Sequence, residues 1–169
     1  MISAILKPWY LNTYKHFILT QAMTLIHSFG WAIALSFCSY PVLSQTVVTI
    51  NRNTLVKPLT ITGKSGGNIK IQKIARTANT ATGYCDGYGN SRPNHLIKLE
   101  SWFEFLRLEI ESAADTTILI EGSSGVWCND DSGSANPMIE GQWQAGLYKV
   151  WVGSYQANSS HNYQIKISN

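Results

Sequence analysis

Residues 102–111 have the sequence Trp-Phe-Glu-Phe-Leu-Arg-Leu-Glu-Ile-Glu. In its second half, the apolar side chains of Leu106, Leu108 and Ile110 alternate with charged side chains. A period of two residues is that of a β-strand with one face against a core and the other face in water. Because antiparallel sheets commonly have such a solvated face, this stretch predicts a half-buried antiparallel strand.

Similar short stretches lie on both sides of this strand, separated by turns rich in Gly, Asn, Ser and Pro. Those with a strand-like composition are 46–50, 56–62, 69–74, 95–100, 116–121, 126–128, 138–139, 147–155 and 163–167. Residues 69–74 are predicted as a strand with a bulge, and residues 147–155, apolar on both faces, as a central strand. No amphipathic helix stands out among them. The sequence therefore predicts an all-β fold, an antiparallel β-sandwich or jelly-roll of about eight to nine strands.

Residues 1–44 differ in composition from the rest of the chain. They contain no acidic residue, and Lys7 and Lys15 are their only Lys or Arg residues. A mostly apolar run, 22–38, comes next, and Pro41 follows it. A basic flank, an apolar run, a helix breaker and then a small residue form the order of a secretory signal peptide.

We predict that this helical signal segment, 1–44 or a shorter form starting at Met23, is cleaved ahead of Gln45. The remaining residues, 45–169, are predicted to form a single β-sandwich domain, long enough for one hydrophobic core. Cleavage would leave a secreted or periplasmic protein without a membrane segment.

Two alternatives to cleavage of the leader fit the sequence less well. A retained membrane anchor needs about 18 or more apolar residues, and His27, Ser28 and Gly30 interrupt the apolar run. A lipoprotein needs a small residue before its cysteine, whereas the bulky Phe37 precedes Cys38. Both observations favour a cleaved signal.

The charge of the predicted domain excludes some partners. Residues 45–169 keep 11 of the chain's 13 Lys and Arg residues and all 10 of its Asp and Glu residues. Both signs are interspersed, so the domain has no basic patch of the kind that binds nucleic acid or an anionic membrane surface. The sequence predicts neither as a partner.

Two cysteines, Cys85 and Cys128, remain after the leader. In an exported domain, a lone pair of cysteines favours a disulfide. A structural metal site would need further ligands at short spacing, and neither cysteine has a second Cys or His within four residues. The bond would pin residues 76–94, a long stretch without strand-like periodicity.

The sequence contains few patterns typical of catalytic sites. Asp131-Ser-Gly133 matches the sequence around a serine-protease nucleophile, but that chemistry needs a histidine and a carboxylate beside the serine. His95 and His161 are the histidines outside the leader, and the residues that normally flank such a serine are replaced. Glutamates of the 102–111 strand lie on faces where carboxylates are ordinarily solvated rather than paired for glycoside hydrolysis. The sequence therefore predicts no catalytic residues and no enzyme.

The loop that follows Cys128 is acidic, with the sequence Asn129-Asp-Asp-Ser132. Adjacent carboxylates repel unless they are solvated or bridged by a cation, and Ca²⁺ favours such oxygen clusters. The alternative is an Asx-turn, in which these side chains bond the nearby backbone. Asp130 and Asp131 are therefore candidate calcium ligands, and no other cofactor is expected.

Several motifs together resemble the bacterial pre-peptidase C-terminal domain and its stand-alone exported relatives. They are residues 115–131, Asn136-Pro137, 145–148 and 150–155, together with a Tyr-Cys-Asp-Gly loop at 84–87. In that family an aspartate-led strand precedes an acidic loop, and a Gly-x-Tyr-x-Val-x-Val strand follows. The resemblance implies a jelly-roll sandwich, a non-catalytic role beside secreted enzymes, and in some members bound calcium, with Asp115 as a third ligand. The enzyme itself has no counterpart here, which favours a free-standing binding protein.

The expected function is that of an exported, non-catalytic binding or accessory module that recognises a glycan or a protein at the cell surface. Aromatic rings give a large contact area at low entropic cost. Candidate ligand-binding residues are the rings on or beside loops, Trp127, Trp143, Tyr84, Tyr88 and Tyr155. A place in the core is the alternative for the tryptophans. The alternative function is a structural or inhibitory partner of a separately encoded secreted enzyme.

Overall fold

A computed structural model describes residues 45–169, and the predicted signal segment 1–44 and the start at Met23 lie outside the described residues. The strands are β1 (Val47–Ile50), β2 (Leu59–Lys64), β3 (Ile69–Lys70), β4 (Asn79–Thr80), β5 (Gly83–Tyr84), β6 (Tyr88–Gly89), β7 (His95–Leu99), β8 (Phe103–Ser112), β9 (Thr116–Gly122), β10 (Gly125–Asn129), β11 (Met138–Trp143), β12 (Gly146–Ser154) and β13 (Asn162–Ser168). A helix, α1 (Ile71–Ala75), follows β3. Within this part of the chain nine strands have four or more residues, in agreement with the sequence.

The smaller of the two large sheets is antiparallel and has the strand order β11-β8-β13-β2. Its long strand β8 contains the stretch in which the alternation was found. Leu106, Leu108 and Ile110 are buried there, while the residues between them reach the surface. The predicted half-buried strand is therefore confirmed, because one face of this sheet packs on the core and the other faces water.

The larger sheet is built around β12, which pairs with β7 and β6 along one edge and with β9 along the other. β10 extends the sheet beyond β9, and β1 extends it beyond β7. The pairing of β1 with β7 is parallel, with Val47 opposite Leu96. The sequence predicts an antiparallel sandwich, and this pair of strands departs from that prediction. β1 can run parallel to β7 because the chain between them passes through the other sheet rather than through a hairpin.

The main hydrophobic core lies between the two sheets, which confirms the predicted all-β sandwich. The β8 side chains from one sheet meet Ile118, Ile120, Val150 and Val152 from the other. These four side chains alternate along β9 and β12, so their neighbours in the sequence point to the opposite face of the larger sheet.

That opposite face carries a second, smaller core. Leu119 and Trp151 point outward from β9 and β12, and they are covered by Ile71 and Ala75 of α1 and by the two cysteines. A sheet covered on both faces needs strands that are apolar throughout. This explains why residues 147–155 lack alternation, as predicted for a central strand.

The predicted strand over residues 69–74 is wrong beyond its first two residues. The chain leaves β3 after Lys70 and turns into α1, in which Ile71 and Ala75 are four residues apart and face the same way. Both side chains are buried, and through them the helix packs on the outer face of the larger sheet. It ends at Arg76, which has a left-handed conformation with φ +59°.

Candidate functional site

The predicted disulfide between Cys85 and Cys128 is present and buried. It fastens the stretch after α1 to β10, on the outer face of the larger sheet. Hydrogen bonds run beside it: the Cys128 backbone N–H donates to Thr80 Oγ1 at 3.0 Å, and Thr82 Oγ1 donates to the Cys128 carbonyl oxygen at 2.8 Å. The long stretch 76–94 is therefore held in place over much of its length, as the sequence analysis expected.

Next to this bond lies a cavity of about 320 Å³, here called the tyrosine pocket. It is lined by Lys70, Gln72, Cys85, Asp86, Gly87, Tyr88 and Tyr155. Two of its lining residues, Lys70 and Tyr88, lie on the adjacent strands β3 and β6, and Tyr88 also pairs with Ser154 at the end of β12. Tyr155 follows directly after β12. The pocket thus forms where β12 leaves the sheet, and it contains two of the five predicted ligand-binding residues.

Gly87 keeps the pocket wall close to the sheet. Its φ is +82°, and a Cβ there would lie 2.7 Å from Thr117 Cγ2 and 2.8 Å from the Ser154 carbonyl oxygen. A larger residue would therefore be strained and would push the loop outward. The Gly87 carbonyl oxygen also accepts a hydrogen bond from the Ile71 N–H at 3.0 Å, which joins this loop to α1.

The tyrosine pocket combines aromatic rings with polar groups of both charges. Tyr155 is 55% exposed and Tyr88 is partly buried. Gln72 Nε2 donates to Asp86 Oδ1 at 3.3 Å, and Lys70 also lines the pocket. Rings with polar groups beside them can stack on an apolar face of a ligand while hydrogen-bonding its edge.

A second cavity of about 180 Å³, here called the tryptophan cleft, contains two more of the predicted residues. Trp127 and Trp143 lie with their ring centroids 6.1 Å apart, and Tyr148 lies 5.0 Å from Trp143. Trp143 is 6% exposed, whereas Trp127 is only partly buried. Trp143 therefore belongs to the core, as the alternative for the tryptophans allowed, and its ring also forms a wall of the cleft.

Tyr84 lines neither cavity. It is 68% exposed and stands on β5, beside the disulfide. The five predicted rings are thus divided into two pairs and one separate side chain.

A larger groove of about 720 Å³ runs along the smaller sheet between β2, β13 and β8. Its single aromatic side chain is Tyr163, which is buried and bonded through its hydroxyl to His95 Nε2 at 2.7 Å. Burial holds the pKa of His95 below its usual value and raises that of Tyr163. The groove offers no exposed ring, so the tyrosine pocket is the better candidate site despite its smaller volume.

The four aspartates of the chain interact at the same end of the domain as the disulfide. Burial, followed by the charges of Asp131, Asp115 and Asp86, raises the pKa of Asp130 to about 6. Burial and then the charge of Asp131 raise the pKa of Asp115. None of the four forms a salt bridge with the residues described. The predicted trio Asp130, Asp131 and Asp115 is thus close enough for mutual repulsion.

No group of three or more His, Cys, Asp and Glu side chains within residues 45–169 is arranged to hold a metal ion. Asn129 is also occupied: its Oδ1 accepts from the Met138 N–H and from Ser132 Oγ, both at 3.2 Å, and its Nδ2 donates to the Thr82 carbonyl oxygen. These bonds hold the acidic loop through contacts distant in sequence. Calcium binding there stays a prediction that would need oxygens from the backbone.

The polar residues that line the tyrosine pocket were not identified from the sequence. Lys70 and Gln72 lie on the two sides of the turn into α1, a change of direction that alternation cannot show. Asp86 carried a signal, since it directly follows the cysteine that pins the loop. Ser132, considered as a nucleophile, bonds to Asn129 rather than to a histidine.

Comparison with sequences gives limited information. No family model matches the chain. An uncharacterized protein of Synechococcus elongatus is 36% identical over 86 residues, covering 48% of this chain and 63% of that protein. The chain thus spans less than two thirds of the length of this relative.

Two solved structures are similar to the described part. One is the pre-peptidase C-terminal domain of collagenase from Bacillus anthracis, with a TM-score of 0.45 and 11% identity, covering 74% of this chain and 97% of that domain. It belongs to the family that the sequence resembles. The other is Aeromonas hydrophila PliG, a periplasmic inhibitor of g-type lysozyme, with a TM-score of 0.38 and 10% identity, covering 74% of this chain and 98% of that one. The single helix of residues 45–169 is too short to cross a membrane.

Proposed function

We propose that this protein is an exported, non-catalytic binding module that holds a glycan in the tyrosine pocket. The observation that carries the proposal is the pairing of Tyr88 and Tyr155 with a lysine, an amide and a carboxylate in one cavity. A sugar has C–H faces that stack on aromatic rings and hydroxyl groups that hydrogen-bond, so this set of side chains matches both parts of it.

The size and rigidity of the pocket support the same function. Its volume of about 320 Å³ lies at the lower end of the roughly 300–1,000 Å³ usual for small-molecule sites. The buried disulfide lies against it, and strands provide two of its walls. A site formed before the ligand arrives loses less entropy on binding. The disulfide is also consistent with export, since such bonds persist in oxidising compartments.

A glycan array with the purified protein tests this function. We expect binding to a limited set of glycans and its loss in Tyr155→Ala, because the exposed ring supplies most of the stacking surface. Trp102→Ala is the matched control: Trp102 is 42% exposed and lines neither cavity. An array without binding, or equal weakening by both variants, would contradict the proposal.

A second candidate function is that of a structural or inhibitory partner of a separately encoded secreted enzyme. The exposed ring of Tyr84 favours it, since this residue lies two positions from Asp86, one of four aspartates that have no salt-bridge partner among the described residues. An exposed ring beside acidic groups suits a basic protein surface.

The enzyme partner can be sought by affinity capture from culture medium. We expect the captured enzyme to change activity on binding, and the complex to weaken as salt rises. Tyr84→Ala should weaken it further, whereas Trp102→Ala should not. Capture that is unchanged by Tyr84→Ala and by salt would contradict this candidate.

A further inference from the structure

We propose that the tryptophan cleft is a second saccharide subsite, which accepts one pyranose ring. This inference rests on the proposed glycan-binding function and adds a site away from the tyrosine pocket, since the two cavities share no lining residue.

The cleft lies between the edges of the two sheets. β10 is an outer strand of the larger sheet and pairs with β9, while β11 is an outer strand of the smaller sheet and pairs with β8. The two strands lie close together but form no ladder with each other. An opening between unpaired edges leads directly to the side chains between the sheets, which places aromatic rings within reach of a ligand.

Gly141 in β11 shapes the opening. Ile139, Gly141 and Trp143 lie on the core-facing side of β11, because side chains two residues apart along a strand point the same way. The extra residue at the register shift belongs to β8, since Phe103 and Leu106 are three positions apart opposite Gly141 and Trp143, which are two apart. Gly141 has φ +145°, and no atom lies within 4 Å of the position that its Cβ would take. The wall at this glycine is therefore open.

Two of the three rings are fixed without any ligand. Trp143 Nε1 donates to the Leu106 carbonyl oxygen at 2.9 Å, and the Tyr148 hydroxyl donates to the Gln144 carbonyl oxygen at 2.8 Å. Trp127 is the partly buried member of the cluster and provides the accessible face. A ligand would therefore meet an ordered aromatic surface and lose little entropy there.

The other lining side chains favour a sugar. Those with hydroxyl, amide or carboxylate groups are Thr82, Ser124, Glu140 and Gln142. Thr82 Oγ1 is already bonded to the Cys128 carbonyl oxygen and Glu140 to Arg107, but hydroxyl and carboxylate oxygens have further lone pairs, which can accept hydrogen bonds from the hydroxyl groups of a sugar. The volume of about 180 Å³ suits one six-membered ring, since a cavity of roughly 150 Å³ holds benzene.

The test is a titration of the purified full chain with methyl pyranosides of glucose, galactose, mannose and N-acetylglucosamine, followed by NMR of the indole N–H signals. At least one sugar should shift the Trp127 signal. Trp127→Ala should weaken that binding by about tenfold or more, as expected for a buried aromatic contact. Gln142→Ala, a change of an exposed side chain that preserves the core, should weaken it by a smaller factor, and Trp102→Ala should leave it unchanged.

Several outcomes would overturn the subsite. No shift of the Trp127 signal with any sugar is one, and equal weakening by the Trp102 variant is another. A shift with p-cresol alone would assign the cleft to an aromatic side chain of a protein instead. Titrating Tyr155→Ala in parallel separates the two proposals: if array binding depends on Tyr155 while the Trp127 signal stays unmoved, the tyrosine pocket stands and this inference fails.

Discussion

Asp130 is the side chain whose charge opposes the fold most directly. Its Oδ1 atom is buried and has no hydrogen-bond partner among the described residues. Burial, and then repulsion by Asp131, Asp115 and Asp86, raise its pKa to about 6, above the usual 3.8. The folded state therefore binds the proton more tightly than the unfolded state. The resulting stability is fully present below pH 3.8 and is lost as the pH rises through about 6.

We expect Asp130→Asn to remove this loss, because asparagine resembles the protonated aspartate. The variant should melt at the same temperature as the wild type near pH 3.5 and at a higher temperature above pH 6.5, with the difference growing between these values. Thermal melts across that range, with the exposed Glu104→Gln as control, provide the measurement. A difference independent of pH would mean that the ionisation of Asp130 has no part in it.

Bound calcium would make the ionised form of Asp130 stabilise the fold instead of destabilising it. A cation bound to the ionised aspartates converts their repulsion into attraction and stabilises the folded state, by about 2.7 kcal/mol at a hundredfold excess over Kd. If the calcium prediction is correct, millimolar calcium raises the melting temperature at pH 7.5, and Asp130→Asn removes the increase. Equal melting curves in calcium and in chelator would assign the loop to its own hydrogen bonds.

The candidate ligand-binding rings show how much of the site could be predicted from the sequence. Tyr155 and Tyr88 were identified because they lie beside loops, and both line a pocket. Trp143 satisfied the same criterion and is largely buried. The difference comes from the length of β11, which was predicted over 138–139 but continues to Trp143, so that this ring shares the buried face of Ile139 by alternation. Position beside a loop was thus predictable, whereas depth depended on where the strand ends.

Among the secondary-structure elements, α1 packs on Leu119 and Trp151, and so does the stretch that the disulfide fastens. Apolar runs without alternation correctly predicted that β12 is central. They could not show what covers its outer face. The helix has only five residues, fewer than two turns, so its three- and four-residue spacing is indistinguishable from an irregular strand of isoleucines.

We expect Cys128→Ser to lower the melting temperature by more than about 10 °C. Closing a loop with a sequence separation of 43 residues stabilises a fold by roughly 4 kcal/mol in the chain-entropy model. Cys85→Ser should have the same effect, and the double variant should add nothing to either, since each change removes the same bond. Thiol labelling of the unfolded, unreduced protein checks the premise: modification of both sulfurs would contradict it.

For the molecule as a whole, alternation and turn spacing were sufficient to predict a sandwich and its number of principal strands. They did not predict the parallel pairing of β1 with β7, because strand order between sheets depends on contacts that no short segment contains. Nor did they predict the tyrosine pocket as a unit, since its lining residues come from three separate segments between Lys70 and Tyr155.

Export also stays a prediction, and it concerns the complete polypeptide. We expect protein recovered from the periplasm or the culture medium to begin at Gln45. Intact-mass analysis decides this, with a reduced and an unreduced sample to count the cysteines in the bond. A mass that includes residues 23–44 would favour a retained membrane anchor instead.

The position of β13 has a consequence for the timing of folding during synthesis. This strand lies between β8 and β2 in the smaller sheet, and it pairs Lys166 with Thr60, about 100 residues earlier in the chain. Such distant pairings raise the contact order, and β-folds of high contact order form in milliseconds to seconds. Until β13 has been made, β2 has no neighbour in its sheet. A nascent chain therefore cannot complete the smaller sheet until its synthesis is nearly finished, which would favour translocation of the exported protein that we predict. Chains truncated before Asn162 should be digested rapidly by protease, whereas the full chain should resist.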